Sequence, residues 1–179
     1  MDGWRDAGRA RSRFTCAILE VVSVERTRIP SGETGEFVIL RAKPWVNVVA
    51  VTSAGNLVLV RHFRHGISDY SLELPAGIIE NDETVSAAAV RELLEETGYE
   101  GTDGRLLGEL YPNPGLQDNA CFSWLVRNAA SVRVAQPDPL EDVEVVEMPF
   151  TAVRTAVMRG EIRNALTVAA LYLALDDLR

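Results

Sequence analysis

The spacing of apolar positions changes along the chain, and each change predicts an element. Residues 14 to 25, FTCAILEVVSVE, are β-branched and partly alternating, and GEFVILRA returns the same character after RIPSGE, whose Pro30 and Gly32 are turn residues. The two runs predict an antiparallel ribbon over 14–44, closed by Lys43-Pro44. VNVVAV and LVLVRHF flank the turn TSAGN and predict a second, buried hairpin. A short strand follows from Ser71 to Pro75. The period then becomes helical from Thr84 to Thr97, with cap candidates from Asn81 to Thr84 and Gly98 as the stop. RLLGELYPN, CFSWLVRNA and VEVVEMPF read as strands. A short helix begins at Thr151, breaks at Arg159-Gly160, and gives way to a closing helix from Ile162 to Leu178. Residues 1–13 read as a flexible tail and 45–179 as the main domain. The pattern is α+β, a mixed sheet between helices.

Composition narrows the partners. The chain has 179 residues, 47% of them hydrophobic, enough for a real core, and a formal net charge of −8. Such a charge disfavours nucleic acid as a partner, and a polyanionic substrate would need a local cation, usually a divalent metal. No apolar run reaches the length of a membrane span and the first residues resemble no secretory signal. Cys16 and Cys121 lack metal-type spacing and read as buried thiols in a reducing compartment. These features predict a cytoplasmic protein.

The candidate chemistry lies in ELPAGIIENDETVSAAAVRELLEETGY, Glu73 to Tyr99. With Thr84 set to zero on a helical wheel, Glu95, Glu92 and Glu96 fall at about 20°, 80° and 120°. The wheel assigns Leu93, Val90, Leu94 and Ala87 to the core face. Like charges three and four residues apart repel, and they stand near the helix C-terminus, where the dipole disfavours anions. Water on a solvated face can absorb these costs; so can a hard cation that takes oxygen ligands. The wheel leaves both readings open.

Spacing separates them. From Gly77 there are five residues to Glu83, then seven to Arg91-Glu92-Leu93-Leu94-Glu95-Glu96-Thr97-Gly98-Tyr99. This resembles the Nudix box of the Nudix hydrolases at every fixed position, with the aromatic Tyr99 in place of the last aliphatic residue. Seven fixed residues arise by chance on the order of 10⁻⁹ per starting position, which disfavours the solvated face. The resemblance implies an α/β/α sandwich with a mixed sheet. It also implies Mg²⁺- or Mn²⁺-dependent hydrolysis of a nucleoside diphosphate linked to another moiety. By similarity, Glu92 and Glu96 are the main metal ligands, Glu95 assists, and the carbonyl of Ala76 joins them. Arg91 pairs with Glu83 and holds the acidic helix.

The flanks resemble the ADP-ribose pyrophosphatase branch from about Phe14 to Ala174. VRHFRHG looks like its arginine-bearing strand, and the reading places Arg61 and Arg64 on one strand face, as substrate-binding residues. YPNPGLQD supplies Pro114 and Gly115 as further substrate-binding residues. QPDPLEDVEVVEM offers Glu141, Asp142 and Glu144 as a late glutamate near the metals, with Glu141 aligning best. His62, His65, Leu116 and Asn119 depart from the branch and leave base and sugar open. The expected substrate is a small nucleoside diphosphate sugar, ADP-ribose first and GDP-mannose as an alternative. A non-catalytic nucleotide-sugar sensor is the reading of a different class. In this branch a ribbon like that at 14–44 completes a partner's site, so a homodimer is expected.

Overall fold

A computed structural model describes residues 3–178. Met1, Asp2 and Arg179, which belong to the expected tail and main domain, lie outside the described residues. Two compact units divide the chain: Met1–Lys43 with Tyr111–Ala120, and Pro44–Leu110 with Cys121–Arg179.

The first unit is a four-stranded antiparallel sheet built on β3 (Leu19–Arg28). β4 (Thr34–Ala42) runs along one edge from Leu19↔Ala42 to Thr27↔Thr34, which is the expected ribbon. The other edge is shared end to end by β1 (Trp4–Asp6) and β2 (Arg11–Thr15). These two strands correct the expected tail. Their residues are exposed and mostly polar, with one aromatic in each strand, so hydropathy alternation does not announce them. Backbone ladder bonds hold them instead, with Trp4 edge-on to Phe37 at 5.2 Å between ring centroids and Arg13 paired to Glu36 at 2.6 Å. Residues 111–120 join this unit, where the Leu40 N–H donates to the Leu116 carbonyl.

The second unit carries the α+β sandwich. Its sheet runs β11 (Val143–Pro149), β6 (Asn56–Arg64), β5 (Trp45–Thr52), β10 (Cys121–Ser131), β9 (Tyr99–Leu110), with β7 (Asp69–Glu73) on β6 and β8 (Ala76–Ile78) on β5. Only β5 and β10 pair in parallel, which makes the sheet mixed. β5 and β6 are buried on both faces and are accordingly near-continuous runs of Val and Leu. One face carries Val46, Val48, Ala50 and Val58 against Ala88, Ala89 and Leu93 of α1 (Val85–Thr97). The other carries Val49, Leu57 and Leu59 against Val153 and Ala156 of α2 (Phe150–Met158) and Ala170 and Leu171 of α3 (Ala165–Leu173). The closing helix is shorter than expected. No helix among the described residues is long and apolar enough to cross a membrane.

Helix α1 starts where Thr84 accepts the Ala87 N–H at 3.2 Å and ends at Gly98, whose φ of 74° is left-handed. Its rotational setting corrects the wheel. The buried residues are Ala88, Ala89, Leu93, Glu96 and Thr97, whereas Val90 is 53% exposed. Glu96 therefore turns inward, Glu92 is half-buried, Glu95 keeps its side chain 43% exposed, and two of the expected core residues, Val90 and Ala87, turn out. The cysteine expectation also changes: both thiols are free, but Cys16 is exposed and only Cys121 is buried.

This setting is testable by denaturant unfolding. Leu93→Ala should destabilise the protein by about 2–5 kcal/mol, and Val90→Ala by less than about 1 kcal/mol. Equal costs would contradict the observed face.

Candidate functional site

One guanidinium organises the loop between β8 and α1. Arg91 donates through Nε and Nη2 to the two oxygens of Glu83 at 2.9 and 3.0 Å. Nη1 reaches Glu92 Oε1 at 2.7 Å and Glu95 Oε2 at 3.1 Å, and Nη2 also reaches the Ile78 carbonyl at 2.9 Å. The planar fork makes this set of bonds possible, since an ammonium has three donors on one atom. Its bond to Glu83, then those to Glu92 and Glu95, raise the Arg91 pKa, while the same bond holds Glu83 below the usual carboxylate range. Gly77 lets the loop close: a Cβ there would overlap the Glu92 carboxylate.

Glu96 is in a different state. It is 2% exposed, its Oε2 accepts the Ala76 N–H at 2.9 Å, and its Oε1 lies 3.9 Å from His62 Nδ1. Burial, with help from the charges of Glu92 and Glu141, pushes its pKa up to about 8. Burial also raises Glu92, against the pull of Arg91. Desolvation lowers His62, and the nearby Arg64 adds to that effect.

The region thus gathers Ala76, Gly77, Glu83, Arg91, Glu92, Glu95 and Glu96. Glu141 is close enough to act electrostatically on Glu92, Glu96 and His62. All three late-loop carboxylates have partners of their own: Glu141 accepts the Asp138 N–H at 3.2 Å, Asp142 accepts the Tyr70 hydroxyl at 2.5 Å, and Glu144 pairs with Arg61 at 3.1 Å. Among the described residues no three His, Cys, Asp or Glu side chains already stand in a ligating array. The donor chemistry nevertheless fits a hard divalent cation. Carboxylate oxygens are crowded where water cannot stabilise their charge, and Glu96 keeps that charge at neutral pH only if a cation takes the place of its proton.

Arg61 and Arg64 do not share a face. A separation of three residues puts them on opposite sides of β6. Arg61 lies over the Tyr70 ring at 4.1 Å, and Arg64 bonds Glu73 at 2.8 Å. Burial pushes Glu73 up, but its bonds to Arg64 prevail and hold it low. Arg64 lines a cavity of about 600 Å³ together with Trp45, Asn47, Glu73, Gly77 and Arg163. Pro114 and Gly115 belong to the first unit, where they line a separate cavity of about 570 Å³ with Trp4 and Phe37.

Sequence reading did not single out Glu73, Asn47 or Arg163. Glu73 carried a usable signal, an acidic residue in an otherwise apolar short strand. Asn47 carried a similar one, a lone amide inside VNVVAV.

The chain is similar to known proteins over most of its length. The NUDIX domain model matches residues 42–169. The ADP-ribose pyrophosphatase of Bacillus subtilis (strain 168) is 31% identical over 156 residues, covering 86% of this chain and 84% of that protein. The GDP-mannose pyrophosphatase of Escherichia coli O1:K1 / APEC is 34% identical over 131 residues, 68% of each chain. The methanol dehydrogenase activator of Bacillus methanolicus is 28% identical over 158 residues, 87% of this chain and 85% of that one. A crystal structure described as an ADP compounds hydrolase superposes with a TM-score of 0.87 at 22% identity, covering 98% of this chain and 94% of the other, which establishes the fold.

The Glu96 pKa sets a pH dependence. The folded value of about 8 stands above the ordinary glutamate value of 4.5, so the metal-free folded state holds the extra proton between them. Stability contributed by that proton is present at acid pH and is lost as pH rises through about 8. Without metal, Glu96→Gln should melt higher than wild type at about pH 8.5 and near it at about pH 5.5. A variant offset that is the same at both pH values would refute the assignment.

Proposed function

Because the chain belongs to the NUDIX family, we propose that it hydrolyses the pyrophosphate bond of ADP-ribose or a closely related nucleoside diphosphate sugar, giving a nucleoside monophosphate and a sugar phosphate. The observation that supports this reading is the carboxylate set of α1, with Glu92 and Glu95 held by Arg91 and Glu96 buried against the Ala76 N–H. Nudix hydrolases use divalent metal ions. Here Mg²⁺, with Mn²⁺ as the alternative, would be held by Glu92, Glu95, Glu96 and the Ala76 carbonyl. Such a cation neutralises phosphoryl oxygens and acidifies water.

The chain's own residues supply the rest. Arg91 fixes the first carboxylates by tying them to Glu83 and the Ile78 carbonyl, so the acidic helix and the loop of β8 move as one piece. On taking up such a cation, the Glu96 carboxyl would release its proton to solvent. Glu141, on the loop before β11, acts on the same carboxylates through space and is the group we assign to accept a proton from the attacking water. Arg64, aligned by Glu73, presents positive charge to the cavity and would meet the anionic substrate.

The substrate preference follows the relative named an ADP-ribose pyrophosphatase, which covers most of this chain. GDP-mannose is the alternative sugar nucleotide, supported by the second relative. A regulatory protein that binds a nucleotide sugar without turnover is the competing reading, favoured only by the relative named an activator. We also read the first unit's sheet as a homodimer element, because Trp4 and Phe37 stay exposed on one of its faces and Phe14 and Val38 on the other. The cytoplasm is the compartment that suits two free cysteines.

Turnover of ADP-ribose, other ADP-sugars and GDP-mannose, followed with Mg²⁺, Mn²⁺ or EDTA, tests the reading. ADP-ribose should lead, EDTA should abolish release, and Glu96→Gln should lower kcat by at least about a hundredfold. Binding of these nucleotides without any turnover would instead establish the regulatory reading. Sedimentation tests the dimer: Phe14→Glu with Phe37→Glu should yield a monomer, and an unchanged sedimentation coefficient would remove this surface from consideration.

A further inference from the structure

The two oxygens of the Glu96 carboxyl have different surroundings. Oε2 accepts the Ala76 N–H at 2.9 Å, which ties that end of the group to β8. Oε1 faces His62, whose Nδ1 stands 3.9 Å away. His62 lies on β6 between Val143 of β11 and Ser71 of β7, and it is only 6% exposed. Its Nδ1 is buried and has no hydrogen-bond partner among the described residues. A buried polar nitrogen without a partner weakens a fold. Val58 and Val60 precede it on the same face of β6, so packing alone asks for an apolar side chain there.

We infer that His62 is a positioning residue for Glu96, holding the carboxyl by Oε1 when a divalent cation is bound. The inference rests on the pyrophosphatase reading above for the cation that Glu96 would hold. Arg91 anchors Glu92 and Glu95, whereas the bond that Glu96 makes goes to the Ala76 N–H. One bond fixes one oxygen, and the carboxyl can still turn about it. His62 supplies the second point. The gap must close by about 1 Å to make a hydrogen bond. A ring nitrogen serves as donor or as acceptor according to tautomer. It therefore meets a protonated carboxyl by accepting and a charged one by donating. Donation to the charged carboxylate is the stronger bond, so it favours the form that holds a cation. Partners of this kind orient metal-ligating groups, and their loss typically costs about ten- to a hundredfold in metal affinity.

Calorimetric Mn²⁺ binding without substrate tests this on wild type, His62→Leu and His62→Gln. Leucine fills a similar volume and removes both nitrogens, whereas glutamine keeps a donor and an acceptor. His62→Leu should weaken Mn²⁺ about tenfold or more, and His62→Gln should return it to within about threefold of wild type. In EDTA, His62→Leu should melt at or above wild type, because it removes a buried nitrogen that lacks a partner. With ADP-ribose, His62→Leu should raise the Mn²⁺ needed for half-maximal turnover by the same factor, while KM at saturating metal stays within about twofold. Unchanged Mn²⁺ affinity in His62→Leu overturns the inference. An equal loss in His62→Gln, or a fall in the EDTA melting temperature of His62→Leu, overturns it by marking a packing role. A rise in KM with an unchanged metal requirement overturns it by placing His62 on the substrate. If Mn²⁺ binding follows the expected pattern and wild type turns over no ADP-ribose, the pyrophosphatase reading fails and the inference stands. If wild type binds no Mn²⁺, both fall.

Discussion

The site depends on Arg91. A single guanidinium joins Glu83 on the loop, Glu92 and Glu95 on the helix and the carbonyl of Ile78 on β8. Without that cation, Glu92 and Glu95 would stand beside Glu96 uncompensated, near the end of a helix whose dipole opposes them. With it, the loop can approach closely enough that Gly77 has no room for a Cβ. A lysine keeps the charge but not the fork, so the carboxylates would lose their common anchor.

Arg91 does not reach Glu96, and that difference separates two kinds of carboxylate on one helix. Glu92 and Glu95 are compensated by a neighbour in the sequence. Glu96 is buried, with a backbone N–H on one oxygen and His62 at 3.9 Å from the other, so it is held with a proton rather than a charge. A charged form needs a cation brought from outside. The arrangement is costly as structure and useful as a binding site, which is how functional groups with displaced pKa values are recognised.

How much of this the chain announced varies with how local the physics is. The Gly77–Gly98 spacing was legible because cap, stop, glycine approach and Arg91–Glu83 pair all lie within one loop and one helix. The rotational setting of α1 was not. Hydropathy sends Val90 inward and Glu96 outward, and tertiary packing on β5 and β6 does the reverse. Strand β1 and the start of β2 are not legible because backbone ladders hold them and each offers a single aromatic, Trp4 or Phe14, in place of an alternating apolar face. Arg61 was misplaced by a parity error that strand geometry itself corrects. Glu141 was singled out by alignment, and the structure brings its charge to Glu92 and Glu96. The role we assign to His62 became visible only when its unpartnered Nδ1 could be seen beside Glu96.

The central claim is that Glu96 exchanges a proton for a divalent cation. Mn²⁺ titration by calorimetry, in two buffers of different ionisation enthalpy, counts the protons released. At about pH 7 wild type should release close to one proton per bound ion, falling toward zero at about pH 10 and absent in Glu96→Gln. Tight Mn²⁺ binding with no proton release at the lower pH would contradict the account.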